Sequence, residues 1–136
     1  MTENQGPLPL SVPESEAFTQ GIEAGELRIQ RCHDCASIYF PPRPFCPDCG
    51  SRNVEQFAAS GRATLYSYII SHLATPGFEP PYSIAVVELE EGPRMMTNIV
   101  DCEQTPEALQ LDMALEVTFQ QRNEVTLPLF RPVAMP

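Results

Sequence analysis

The chain contains no lysine and no tryptophan, and only two histidines among its 136 residues. Its eight cationic side chains are therefore all arginine, set against 18 acids, for a net charge of −10. So acidic a chain repels nucleic acid and anionic membranes unless one face is locally basic. The cysteine-bearing stretch from Glu26 to Arg62 comes nearest to that, with five arginines against four acids, while the rest has three against fourteen. That makes it less negative than its surroundings without making it a basic stripe. No run is long and apolar enough to cross a membrane. The start, MTENQGPLPLSVPESE, lacks a basic segment followed by an apolar one, so it does not read as a secretory signal. We therefore expect cytoplasmic residence and reduced thiols. There is no glycine-rich phosphate loop, paired-histidine motif or serine nucleophile elbow. We also find no internal repeat.

What the chain does have is cysteine in a pattern. Cys32-x-x-Cys35 and Cys46-x-x-Cys49 lie in one short stretch, RCHDCASIYFPPRPFCPDCG. Each pair can place two thiolates on one ion, and two pairs complete a tetrahedron. Four sulfurs suit zinc, with rubredoxin-like iron as the lesser alternative. Such an ion has no open coordination position, so we expect it to be structural and to order a segment too short to build its own core. A thioredoxin-like redox role is weaker, because no βαβ pattern surrounds the pairs. His33, between the first two cysteines, is expected to be a turn residue rather than a ligand. His72 has no catalytic partner at a motif spacing. Cys102 follows an acid and lacks a cation to activate it, so it is expected to be inert.

The elements follow from pattern. Ser11-Val12-Pro13-Glu14 fits a capping box for a helix over 13–24 that stops at Gly25; Gly21 sits awkwardly inside it. Short strands are expected over 26–30, with Leu27 and Ile29 on one face, and over 38–40. From Gly61 the texture turns to β: strands over 62–72, 82–89, 94–101, 115–122 and 125–133, with a capped helical turn over 105–109. Pro128 belongs at an edge or a bulge. Five strands with a helical turn between the third and fourth match an OB-fold barrel. The predicted fold is mostly β: a tail and short helix (1–25), a rubredoxin-like ribbon (26–60) and a five-stranded barrel (61–136).

In this order the motifs resemble a known family. They run from Gly25-Glu26-Leu27-Arg28 and the two cysteine pairs with Tyr39-Phe40-Pro41-Pro42-Arg43 between them, through Ser60-Gly61 and Leu65-Tyr66-Ser67-Tyr68. They continue with Pro81-Tyr82, Val87-Glu88-Leu89 and Gly92-Pro93-Arg94 to Leu127-Pro128 and Phe130-Arg131-Pro132. The chain is similar to the zinc-ribbon/OB-fold acyl-CoA-associated family, long catalogued as a domain of unknown function, over about residues 14–133. The resemblance implies a non-catalytic subunit of a hetero-oligomer. Its partner would be a thiolase-fold enzyme (thiolase, acyltransferase or retro-aldolase) acting on lipid, aromatic or steroid acyl-CoA thioesters. Some members join hot-dog-fold hydratases. Arginine suits CoA phosphates through its planar fork. Candidate CoA or partner contacts are thus Arg28, Arg31, Phe40, Arg43, Phe45, Arg52 and Phe78, with the face of Arg43 and Phe45 joined by the loop Gly77-Phe78-Glu79. Two other readings compete: a single-stranded nucleic-acid module, disfavoured by the charge, and a pure scaffold without a ligand.

Overall fold

A computed structural model describes residues 16–74, 76, 79–122 and 125–133, with backbone alone at 122 and 125. The element order is α1 (Glu16–Glu23), β1 (Arg28–Cys32), β2 (Ile38–Tyr39), β3 (Val54–Ala58), β4 (Arg62–Ser71), β5 (Tyr82–Leu89), β6 (Arg94–Thr97), β7 (Ala114–Arg122) and β8 (Val125–Pro132). The capping box at Ser11–Glu14 lies outside the described residues.

Helix α1 turns Phe18 and Ile22 toward the core. It ends where Glu26 N–H donates to Gly21 O (2.7 Å) and Gly25 N–H to Ile22 O (3.0 Å), the paired bonds of a Schellman stop around a left-handed Gly25. Gly21 has a packing reason. A Cβ there would sit 2.7 Å from both Cγ and Cδ of Arg28, whose stem crosses the helix at that point. Arg28 Nη1 also donates to Ala17 O (3.4 Å), so the arginine fastens the helix to β1.

The ribbon is a three-stranded antiparallel sheet in the order β2-β1-β3. Strand β3 was not expected: Val54 and Phe57 are separated by Glu55 and Gln56, so no period-two alternation marks it. It forms because β1 offers a full ladder, from Arg28↔Ala58 to Cys32↔Val54.

The five-stranded sheet has the order β6-β5-β4-β7-β8, with each strand antiparallel to its neighbours. Its edges meet where Ile99 pairs in parallel with Phe130, and Val100 N–H donates to Phe130 O (2.8 Å). This seam curls the sheet into the expected OB-type half-barrel. Pro128 lies on β8, an edge strand of the sheet, where a missing N–H costs least. The third barrel strand is shorter than expected. It stops at Thr97 because Asn98 Nδ2 turns to Ser83 O (2.5 Å) and Asp101 takes a φ of 61°. The turn after Thr105 is a single capped turn: Leu109 N–H donates to Thr105 O (2.9 Å) and Ala108 N–H to Thr105 Oγ1 (3.2 Å). It lowers Leu109 into the barrel end.

One apolar cluster joins Ile22 of α1, Leu27 and Ile29 at the ribbon base, and Leu65, Val87, Ile99, Leu115 and Phe130 of the barrel. Helix, ribbon and barrel therefore share a core.

Candidate metal centre and the faces around it

The four cysteines converge. Their sulfurs all lie within 4.8 Å of one another, with Cys32···Cys49 and Cys35···Cys46 both 3.6 Å apart. Sulfurs on a tetrahedral zinc with Zn–S of about 2.3 Å stand about 3.8 Å apart. The set therefore has the size of one tetrathiolate site, and the sulfurs are too far apart for disulfides. Cys32 and Cys46 are buried; Cys35 and Cys49 face outward.

Each knuckle is built the same way. Cys32 N–H donates to Ser37 O (2.8 Å) and Ala36 N–H to Cys32 O (2.9 Å). Cys46 N–H donates to Ser51 O (2.7 Å) and Gly50 N–H to Cys46 O (2.9 Å). Ala36 and Gly50 are both left-handed, at φ 65° and 77°. Asp34 N–H donates to Cys32 Sγ (3.3 Å) and Asp48 N–H to Cys46 Sγ (3.4 Å). The hydroxyls then cross over: Ser37 donates to the Asp48 carboxylate, and Ser51 to the Asp34 carboxylate. Cys32–Ser37 and Cys46–Ser51 share the pattern Cys-x-Asp-Cys-x-Ser, and the matching Asp and Ser make the same bonds in each knuckle.

The thiols constrain one another. Burial raises the Cys32 value, but N–H groups of Cys35 and Asp34 and the neighbouring thiols outweigh it and bring it down to about 7. At Cys35 the Ser37 N–H pulls down, yet burial and the Cys46, Cys49 and Cys32 sulfurs push the thiol up to about 12. Cys49 is also raised: the Ser51 N–H opposes the shift, while Cys32 and burial drive it. The set eases Cys32 toward thiolate while it holds Cys35 and Cys49 protonated, and a bound cation would offset the cost of ionising them together. The donor set thus fits a soft divalent ion.

The other sequence candidates disperse. His33 stands outside the cluster, with Nε2 3.2 Å from Glu55 Oε2. Arg31 reaches the same glutamate (3.5 Å) and stacks 4.4 Å from the Phe57 ring centroid. Arg28 pairs with Glu26 at 2.9 Å. Phe40 is half-buried, its ring 5.3 Å from that of Phe18. Arg43 and Arg52 are exposed, and neither guanidinium makes a hydrogen bond or ion pair among the described residues, although the Arg43 charge acts on the nearby Tyr39 hydroxyl; the Arg43 backbone N–H is held by buried Gln30 Oε1 (2.7 Å). Phe45 is 43% exposed. Phe78 and Gly77 lie outside the described residues. His72 is exposed just beyond β4. Burial, and then Asp101, raises the Cys102 thiol, opposite to activation.

Sequence reasoning missed a second surface. On the outer face of the barrel, register places Met96 beside Val86 and Val86 beside Ser67, with Ile84 beside Ile69. Met96 is 70% and Ile69 61% exposed, and Tyr66, at the β4 irregularity, joins them beneath the Arg94 guanidinium (3.8 Å). Nearby charges are paired off: Arg94 with Glu88 (2.9 Å) and Arg62 with Glu90 (2.7 Å).

A helix-backed four-cysteine ribbon fused to an OB half-barrel defines a zinc-ribbon/OB-fold protein. Residues 19–55 match the family model "ChsH2, rubredoxin-like zinc ribbon domain", and residues 57–120 match "ChsH2, C-terminal OB-fold domain". A DUF35 domain-containing scaffold protein of Methanocaldococcus jannaschii is 40% identical over 97 residues, covering 69% of this chain and 67% of that one. A probable enoyl-CoA hydratase alpha subunit of Thermomonospora curvata is 37% identical over 128 residues, 93% of this chain. This chain spans only 40% of that relative's length. A solved chain of Ltp2-ChsH2(DUF35) aldolase is 36% identical, with a TM-score of 0.83 over 92% of this chain and 98% of its own. The chain belongs to the ChsH2-type DUF35 family.

Proposed function

We propose that this chain is a non-catalytic accessory subunit of a thiolase-fold enzyme acting on acyl-CoA thioesters. In this reading one zinc is held by Cys32, Cys35, Cys46 and Cys49. The observation that carries the proposal is the likeness to the DUF35 chain of an aldolase over nearly all of that chain's length. Four thiolates fill a tetrahedral zinc, so the ion's contribution is to tie the two knuckles together. On the ribbon, Arg43 and Arg52 are left for the phosphates of CoA, and Phe45 for its apolar arm. Arg28 and Arg31 join only by releasing Glu26 and Glu55. Phe40 supports this face from beneath, against Phe18. The outer barrel face of Tyr66, Ile69, Ile84, Val86 and Met96 docks the enzyme subunit. Its rim charges are internally paired, and a second copy of a chain at −10 would be repelled.

Affinity purification of the tagged protein from its native host, followed by mass spectrometry, tests the partner. A stoichiometric thiolase-fold protein is expected; a lone protein, or one carrying nucleic acid, overturns the reading. Calorimetric titration of CoA then separates a CoA-binding subunit from a pure scaffold, with Arg43→Ala expected to weaken the heat signal. Metal analysis should find one zinc per chain. Cys46→Ser should lose it and lower the melting temperature; retained zinc with native stability would refute the structural role.

A further inference from the structure

The structure assigns to Asp34, Ser37, Asp48 and Ser51 the role of a reciprocal latch that holds the four sulfurs at metal-binding separation and so sets how tightly the ribbon keeps its ion. This rests on the tetrathiolate reading above. The two hydroxyl–carboxylate bonds span 11 and 17 positions of sequence, so they are not the local turns that serine and aspartate often make. Each runs from one knuckle to the other.

Every member serves both knuckles. The carbonyls of Ser37 and Ser51 close their own knuckles by accepting from Cys32 and Cys46, while their hydroxyls reach the opposite aspartate. The backbone N–H groups of Asp34 and Asp48 point at the sulfurs of Cys32 and Cys46, while their carboxylates hold the opposite serine. Separating the knuckles therefore breaks both bonds and frees the side chains of the two aspartates whose N–H groups face the sulfurs. Groups that orient metal ligands in this way govern retention of the ion.

The latch is unequal. Among the described residues one side alone has further support: Asn53 Nδ2 also donates to Asp34 (3.4 Å), Asn53 N–H donates to Ser51 Oγ (3.0 Å), and Asn53 O accepts from His33 N–H (2.9 Å). The Asp34–Ser51 side should therefore matter more than the Asp48–Ser37 side.

The test uses the full zinc-loaded chain and a chromogenic chelator in excess. Ser37→Ala and Ser51→Ala should release zinc about tenfold faster or more, Ser51→Ala fastest. Ser51→Thr and Asp34→Asn keep a hydroxyl and an acceptor, and should release near the parent rate. Cobalt-substituted variants should all keep the four-thiolate absorption band, showing an unchanged ligand set. Alanine variants at the parent rate, or Ser51→Thr as fast as Ser51→Ala, would overturn the latch while leaving the metal site standing. A parent chain without stoichiometric zinc would instead overturn the tetrathiolate reading itself.

Discussion

Gly21 shows how much one missing methyl group can decide. Alanine is worth about 1 kcal/mol over glycine in a helix interior. Here its Cβ would meet the Arg28 stem at 2.7 Å, a contact of the kind that costs about 1–3 kcal/mol. Gly21→Ala should therefore lower stability by about 1 kcal/mol in a urea titration, and Arg28→Ala in the same chain should abolish that penalty. A stabilised single variant would contradict this account of the contact. Glu90 makes a different point. Arg62 donates to both of its oxygens, at 2.7 and 3.1 Å, and holds the carboxyl below its ordinary 4.5. A depressed folded value stabilises above the unfolded value and loses that contribution as pH falls through the folded one. Glu90→Gln should thus melt slightly below the parent at pH 7, and the two melting curves should converge under acid, below about pH 4. The pair is exposed, so the gap is small; a gap unchanged at pH 3 would refute the assignment.

Among the elements, β6 carries the proposed docking face. Met96 is exposed on a short edge strand, so Met96→Asp should leave far-UV circular dichroism and melting temperature near the parent. It should nevertheless abolish recovery of the enzyme subunit, because a charge would be buried without a counterion. Undiminished recovery would move the interface elsewhere. Legibility differed from element to element for physical reasons. Strands β4, β5, β7 and β8 could be read because branched and aromatic residues fill them, and β5 alternates strictly between buried and half-exposed positions. The cysteine knuckles could be read from spacing alone. Strand β3 could not, since its pairing comes from β1 and leaves no trace in its own pattern. Nor could the outer apolar face: Ile69, Val86 and Met96 look like ordinary strand residues until cross-strand register puts them together. The local partners of Arg28 and Phe40 (Glu26 and the helix for one, Phe18 for the other) were not legible either, because a residue type does not reveal which neighbour the fold supplies.

For the whole molecule, the shared core has a thermodynamic consequence. Phe130 is fully buried at the barrel seam, in one cluster with Ile22, Leu27 and Ile29. Phe130→Ala should cost about 3–5 kcal/mol. Unfolding followed by tyrosine fluorescence and by far-UV circular dichroism should remain a single coincident transition. Separate transitions for ribbon and barrel would show that the apolar cluster does not bind them into one cooperative unit. Such cooperativity would suit the proposed accessory role, in which ribbon and barrel faces keep a fixed relation to the enzyme subunit.

The closing seam also bears on the order in which the chain leaves the ribosome. All four cysteines and β3 emerge before any barrel strand, whereas Phe130 is the last member of the core cluster to appear. A growing chain can therefore load its ion while Leu27 and Ile29 are still in water, and it stays adhesive at the ribbon base until its final strand arrives.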